Sequence, residues 1–294
     1  MFTLTEFPKF KEEMVDGGHS ACPGCGSTTA LRMVMAALGK QAVVFVPASC
    51  GSLYFGIEHS TVAIPVVNTV YASAFCQAAG YSYALRMNGD CTTQVVVWGG
   101  DGAFYDIGMD GLSHIASQNF DVIAICNDNE GYQNTGGHSS SGTPKGTQTR
   151  LSPEGHKAQA KNLMEIMAAH RIPYAASITA AFPDDLRRKI SKAKTIPGMK
   201  FLHLLTSCVQ WQHAADAGIQ LVRKAVACNA HPLYEVFNGE EYVINYLPPK
   251  REPVENYLSM QGRFKGLDPR EFQAEVDRRW AELWLRARGT VRPA

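Results

Sequence analysis

At 294 residues the chain can form one large domain or two modest ones, with ample core either way. Apolar residues make up 45% and charged residues 19%, and 28 Lys+Arg against 27 Asp+Glu leave a net charge of +1. This excludes a disordered chain and lacks the clustered basic excess of a nucleic-acid binder. Eight unevenly spaced cysteines are too few for a disulfide scaffold, and residues 1–16 lack the apolar run of a signal peptide. The expectation is a cytoplasmic protein with reduced thiols, free to ligate a metal or cluster.

Strand and helix signals alternate through the first two-thirds. Ser27 or Thr28 can cap a helix that runs to Gly39. Ala42-Val43-Val44-Phe45-Val46 is an apolar run of the buried-strand type, ending before Cys50. Residues 60–85 carry no charge and are long enough for a membrane span, but Pro65, Asn68, Gln77, Gly80 and many hydroxyls would be costly in hydrocarbon. A buried strand over 64–67 and a helix ending near Asn88-Gly89 fit better. Further strands are expected at Gln94-Val95-Val96-Val97-Trp98 and over 120–125, with a helix through Leu112 and Ile115 between them. Such alternation implies an α/β fold with a mostly parallel, doubly wound sheet.

A polar stretch over 136–154, with His138, Pro144, Gly146 and Pro153, reads as a long loop, and such loops are more often functional than idle. Beyond it, a charged helix is expected over 184–195, a strand over 201–205 and a helix over 214–227. Two strands flanking Asn238-Gly239 signal a hairpin. After an extended arm, Asp268 caps a last helix with Pro269 in its first turn and Phe272, Val276, Trp280 and Leu283 on one face. The reading divides the chain into a cofactor-binding domain, 1–230, and a C-terminal hairpin, arm and helix, 231–294.

Gly100-Asp101-Gly102 stands at the carboxyl end of one expected strand, and Asn127-Asp128-Asn129-Glu130 ends the next. Ligands of open α/β sheets bind outside these ends. The glycines permit close backbone approach to a diphosphate, and Asp101 offers a hard anionic oxygen to Mg2+. Asn129 and a nearby carbonyl can add neutral oxygens. Gly-Asp-Gly alone is a common turn; an Asn 28 residues past the Asp, on the next strand end, makes the pattern specific.

Cys22-Pro23-Gly24-Cys25 is a CxxC pair in a Gly-rich turn, Cys50 follows the first strand, and Cys208 follows a much later one. Such thiols can hold zinc, form a redox disulfide or bind an iron–sulfur cluster. Cys76, Cys91, Cys126 and Cys228 are expected as small core residues. Asn134, Thr135 and His138, taken singly, are ordinary loop residues.

Together these segments resemble the β subunits of the 2-oxoacid:ferredoxin oxidoreductases, most closely the pyruvate type. The resemblance runs through Gly18-His19, Ala21-Cys22-Pro23-Gly24-Cys25-Gly26 and Ala48-Ser49-Cys50. It continues in Gly100-Asp101-Gly102-Ala103-Phe104-Tyr105-Asp106-Ile107-Gly108 and Asn129-Glu130-Gly131-Tyr132-Gln133-Asn134-Thr135-Gly136-Gly137. It ends with Pro253-Val254-Glu255-Asn256-Tyr257-Leu258 and Gln261-Gly262-Arg263-Phe264. The resemblance implies the thiamine-diphosphate-binding fold, with the cofactor near Gly100, Asp101, Gly102, Asn129, Gly131, Tyr132 and Asn134. It implies Mg2+ on Asp101, Asn129 and the Gly131 carbonyl, and a [4Fe–4S] cluster on Cys22, Cys25, Cys50 and Cys208. Asn134 matches an active-site asparagine. Two departures stand out: many relatives carry Cys-Pro where Ser207-Cys208-Val209-Gln210 stands, and 51–60 differs from the pyruvate pattern.

The activity so implied is coenzyme-A-dependent oxidative decarboxylation of a 2-oxoacid, with electrons leaving through the cluster to ferredoxin. Pyruvate is favoured; branched-chain, aryl, 2-oxoglutarate and oxalate substrates stay open. The chain holds no eight-cysteine ferredoxin pattern and no second α/β domain to supply the glutamate that activates the aminopyrimidine. An α subunit, and possibly γ and δ subunits, would provide these; no nucleic acid or membrane is implied. Two competing readings are a cluster-free thiamine-dependent decarboxylase or synthase half, and a zinc-stabilised interaction module.

Overall fold

The computed structural model describes residues 14–56 and 59–292. Residues 1–13, at the start of the stretch that lacks a signal-peptide run, and residues 57 and 58 of the divergent 51–60 segment lie outside the described residues.

In chain order the elements are α1 (Gly26–Leu38), β1 (Ala42–Pro47), α2 (Cys50–Phe55), β2 (Val66–Thr69), α3 (Ala74–Met87) and β3 (Gln94–Gly100). A π-helical turn, Gly102–Ile107, leads into α4 (Met109–Ser117), then β4 (Ile123–Asp128), α5 (Leu163–Ala169), β5 (Tyr174–Thr179), α6 (Pro183–Thr195) and β6 (Lys200–Leu205). A 3-10 turn, Val209–Trp211, precedes α7 (Gly218–Ala227), β7 (Tyr234–Phe237), β8 (Glu241–Ile244), α8 (Glu255–Leu258) and α9 (Pro269–Ala287).

All eight strands join one sheet in the order β2-β1-β3-β4-β6-β5-β7-β8. The first six run parallel, and β7 and β8 are antiparallel to their neighbours. Both faces of the sheet are covered along β1, β3 and β4, whose apolar runs are nearly continuous, whereas the edge strand β2 is only partly buried. Val43, Phe45, Val97, Ala124 and Phe201 face α3, α4 and α5. Val44, Val46, Trp98, Ile125 and Leu202 face α1 and α6. The hairpin extends this sheet from β5, and Tyr234, Val236, Leu283 and Ala287 share the first of these cores.

The hairpin turn follows from Asn238-Gly239: both residues have positive φ (51° and 72°), and Glu240 N–H donates to Phe237 O at 3.0 Å. That is the primed turn that matches strand twist. Asp268 caps α9 by accepting from Arg270 N at 2.9 Å. Val276 and Leu283 are buried beneath α9, with Phe272 and Trp280 half-covered. No helix of the described residues is long and apolar enough to cross a membrane; the uncharged 60–85 stretch holds β2 and α3.

Some expectations need correction. The strand expected over 64–67 forms at Val66–Thr69, that over 120–125 at Ile123–Asp128, and the helix expected over 214–227 begins at Gly218. Four elements were not expected: α2, α5, β5, and α8 in the stretch read as an extended arm. The first two are six and seven residues long, too short for a periodicity to register. They are set by caps instead, Ser49 Oγ accepting from Gly51 N (3.1 Å) and Asn162 Oδ1 from Glu165 N (3.3 Å). Cys126 and Cys228 are core residues, but Cys76 and Cys91 are exposed. Cys76 lies on the outward face of α3, and Cys91 sits in the turn before β3.

Candidate functional site

The chain leaves β1 toward β2 on one side and returns to β3 on the other, so a crevice opens where the winding reverses. Ser49 and Cys50 after β1, Gly100-Asp101-Gly102 after β3, and Asn127 and Asn129 at the end of β4 all line it. The loop expected over 136–154 lies within a longer stretch free of helix and strand, from the end of β4 to α5, which folds back over the crevice with Gly131, Tyr132, Gln133, Asn134 and Thr135. Asn134 and Thr135 stand exposed at its mouth.

Asp101 is fully buried, and burial pushes its carboxyl well above the ordinary range, helped by the nearby Asp128. The Ser140 hydroxyl, donating to Asp101 Oδ2, opposes this. The Asn129 side-chain oxygen faces Asp101 Oδ1 at 3.0 Å and the Gly131 carbonyl at 2.9 Å. Three oxygens cannot meet this way unaided. Either the amide turns over and its nitrogen donates to both, or a cation sits among them. Two of the separations, Asn129 to Asp101 and Asn129 to Gly131, match the about 2.9 Å between neighbouring ligands of an octahedron with 2.0–2.1 Å bonds.

Gly102 is required by close packing. A Cβ there would lie 2.2 Å from Tyr132 Cε1. Tyr132 OH in turn donates to Asp106 Oδ2 at 3.1 Å, holding the loop down on the π-helical turn. Gly100, by contrast, has open space where its Cβ would be.

The CxxC turn reaches the same end of the sheet. Cys25 N–H closes it on Cys22 O (3.1 Å), and Gly26 N–H donates to Ser207 O (3.2 Å), beside Cys208. A Cβ on Gly26 would stand 2.5 Å from Ser207 Oγ, so no larger residue permits this approach. Cys50 opens α2 and Cys208 opens the 3-10 turn. Burial raises the Cys50 thiol to about 11, and Cys25 and Cys22 add to this. Burial raises Cys208 to about 12, with Cys50, Cys25 and Cys22 contributing. The four thiols are therefore electrostatic neighbours. Among the described residues, however, no three His, Cys, Asp or Glu side chains gather as ligands of one metal ion.

Several residues that shape the site were not singled out from the sequence. Asp128 Oδ2 accepts from Tyr105 OH (3.0 Å) and pairs with His203 Nε2 (2.7 Å), which keeps its carboxyl low despite burial. Arg263 pairs with Glu130 and lies over the Trp211 ring, 3.7 Å from its centroid. A histidine inside the apolar run 201–205 of β6 was a signal available from the sequence; Trp211 and Ser140 carried none.

The sequence profile of the family described as "Thiamine pyrophosphate enzyme, C-terminal TPP binding domain" matches residues 56–204. Ketoisovalerate oxidoreductase subunit VorB of Pyrococcus horikoshii is 37% identical, covering 90% of this chain and 89% of its own. Pyruvate synthase subunit PorB of Methanothermobacter marburgensis is 36% identical, covering 87% and 91%. The fold is shared with a 2-oxoglutarate:ferredoxin oxidoreductase from Magnetococcus marinus, solved with 2-oxoglutarate, coenzyme A and succinyl-CoA bound (TM-score 0.60, 24% identity, 71% of each chain). With the crevice, its oxygen donors and this likeness along most of its length, the chain belongs to the thiamine-diphosphate-dependent 2-oxoacid:ferredoxin oxidoreductases, as one of their β subunits.

Proposed function

We propose that this subunit carries the diphosphate end of thiamine diphosphate, bridged by Mg2+ to Asp101, Asn129 and Gly131, and a [4Fe–4S] cluster on Cys22, Cys25, Cys50 and Cys208. The observation that carries the reading is the fully buried Asp101 carboxyl, without a cationic partner among the described residues, 3.0 Å from the Asn129 side-chain amide, which itself stands 2.9 Å from the Gly131 carbonyl. Bound there, thiamine diphosphate supplies the electron sink for decarboxylation of a 2-oxoacid. Within the chain, Gly100 leaves room for the diphosphate, Gly102 admits the Tyr132 ring that holds the loop closed, and Asn134 projects at the mouth to orient the substrate. Cys50 lines the same cleft, which favours electron exit through a cluster at its wall toward ferredoxin. Coenzyme A would take the acyl group.

A single zinc ion fits the thiols less well. Zinc–sulfur bonds near 2.3 Å would draw the sulfurs to roughly 3.8 Å, whereas no such closed set occurs among the described residues. A cluster spreads its thiolates over a wider body. The mouth of the cleft, with Asn134 and Thr135 exposed, fits a partner α subunit that completes the pocket and brings the activating glutamate; further γ and δ subunits could carry additional clusters. The substrate proposed is a small aliphatic 2-oxoacid, pyruvate or its branched-chain analogue ketoisovalerate, since relatives of nearly equal identity bear both names.

The test is to co-purify the subunit with its partner, determine iron and sulfide, and assay a panel of 2-oxoacids with a viologen acceptor. CoA-dependent viologen reduction with four irons in this subunit is the expected result. An active complex whose β subunit holds no iron would refute the cluster, and turnover without CoA would refute the acyl transfer.

A further inference from the structure

We infer that Trp211 is a positioning residue that ties the loop of the fourth proposed cluster thiol to the metal-binding loop, so that filling one site tightens the other. The inference rests on the function proposed above and concerns how its two centres are joined.

The peptide between Asn129 and Glu130 is the first link of the chain that joins Asn129, whose side-chain amide faces Asp101, to the Gly131 carbonyl. A peptide is planar, so holding both its edges fixes its orientation. One edge is the Glu130 N–H, which donates to Asp128 Oδ1 at 2.8 Å. The other is the Asn129 carbonyl, which accepts from Trp211 Nε1 at 2.9 Å and from Gln133 Nε2 at 3.1 Å. The plane needs such a grip because Glu130 is held at φ 57°, left-handed for a residue that is not glycine.

Trp211 is itself fixed from the cluster side. It closes the turn that Cys208 opens, its N–H donating to Cys208 O at 2.9 Å. Its side chain is 1% exposed, and Arg263 covers one ring face while pairing with the Glu130 carboxylate. Cys208 and Asn129 are thus two ends of one rigid brace. A thiolate fixed by a cluster would hold the turn, the indole N–H and the peptide plane in place. Affinity changes passed between two sites in this way are reciprocal.

The experiment uses the complex with its partner subunit, stripped of thiamine diphosphate, and titrates Mg2+–thiamine diphosphate by calorimetry before and after removal of iron. In the wild type, affinity should fall about five-fold when iron is removed. Trp211→Phe keeps the ring against Arg263 and loses only the N–H. Fully iron-loaded, it should start at the weakened affinity and fall no further on iron removal. A variant that binds like wild type, or still loses the same factor with its iron, overturns the inference. The wild-type arm needs no variant to fold: full iron with an affinity indifferent to its removal refutes the coupling alone. A wild-type β subunit without iron refutes the cluster reading and the coupling together.

Discussion

Asn127 Nδ2 donates to Ser27 Oγ at 3.0 Å, joining residues one hundred positions apart beneath the cleft. Asn127 Oδ1 accepts from Thr206 Oγ1 at 3.0 Å, and its amide also reaches Tyr54 OH at 3.3 Å, which accepts from Trp98 Nε1 at 2.7 Å. One side chain therefore knots the start of α1, the end of α2, the end of β4 and the residue that follows β6. Those are the elements that carry Cys25, Cys50, Asn129 and Cys208.

Asn127→Ala leaves the buried hydroxyls of Ser27 and Thr206 short of a partner, at a cost of about 3 kcal/mol. Urea denaturation should show a lower midpoint with an unchanged slope. A midpoint within error of wild type would mean that the knot contributes nothing.

Asp101→Asn separates the cost of the buried carboxyl from its use. Because the folded group is held above the ordinary carboxylate range, its ionised form destabilises the cofactor-free fold at neutral pH. The variant should melt at a higher temperature than wild type without ligands, yet gain nothing from Mg2+ and thiamine diphosphate, which should raise the wild-type melting temperature. A ligand-induced shift retained in the variant would remove Asp101 from the metal site.

Gly100→Ala and Gly102→Ala should part company. At Gly102 the new methyl collides with the Tyr132 ring, and the loss of stability should be about 2 kcal/mol. At Gly100 the methyl meets nothing in this chain, so stability should hold while thiamine diphosphate affinity drops, because the methyl occupies the space proposed for the diphosphate. Equal behaviour of the two variants in thermal melts and calorimetry would contradict this.

His231 gives the fold an acid-sensitive point. Burial, reinforced by His203, lowers its imidazole to about 3, and Nε2 lies 3.1 Å from Ile178 O. Its folded pKa is below the unfolded value, so the unfolded state takes up the proton first as pH falls. The stability contributed by the neutral ring is complete above about 6.5 and is lost progressively below it, at up to about 1.4 kcal/mol per pH unit. His231→Gln should show a shallower loss of stability between pH 6 and 4. Parallel pH profiles would place the acid sensitivity elsewhere.

Much of the site was legible because it is local. Gly100-Asp101-Gly102 and Asn129 each sit at a strand end that its own apolar run announces, and the CxxC pair needs no distant residue to be seen. The supports were not legible. His203 meets Asp128 because β6, rather than the next strand β5, pairs with β4. Chain order would have placed β5 there. Ser140 reaches Asp101 from the middle of a loop that has no periodicity to read.

By itself the sequence determined the chemistry on offer: a parallel α/β sheet, a hard-oxygen pair 28 residues apart and four thiols outside the core pattern. Side-chain spacing along a strand or turn is a property of the local chain, so these features survive without knowledge of their neighbours. Only the tertiary structure decided that the Asn129 amide meets Asp101 at 3.0 Å, that Cys76 and Cys91 face solvent, and that Trp211 hydrogen-bonds the Asn129 peptide. Those relations depend on strand order and loop closure, which bring together groups whose separation in the chain carries no record of their contact.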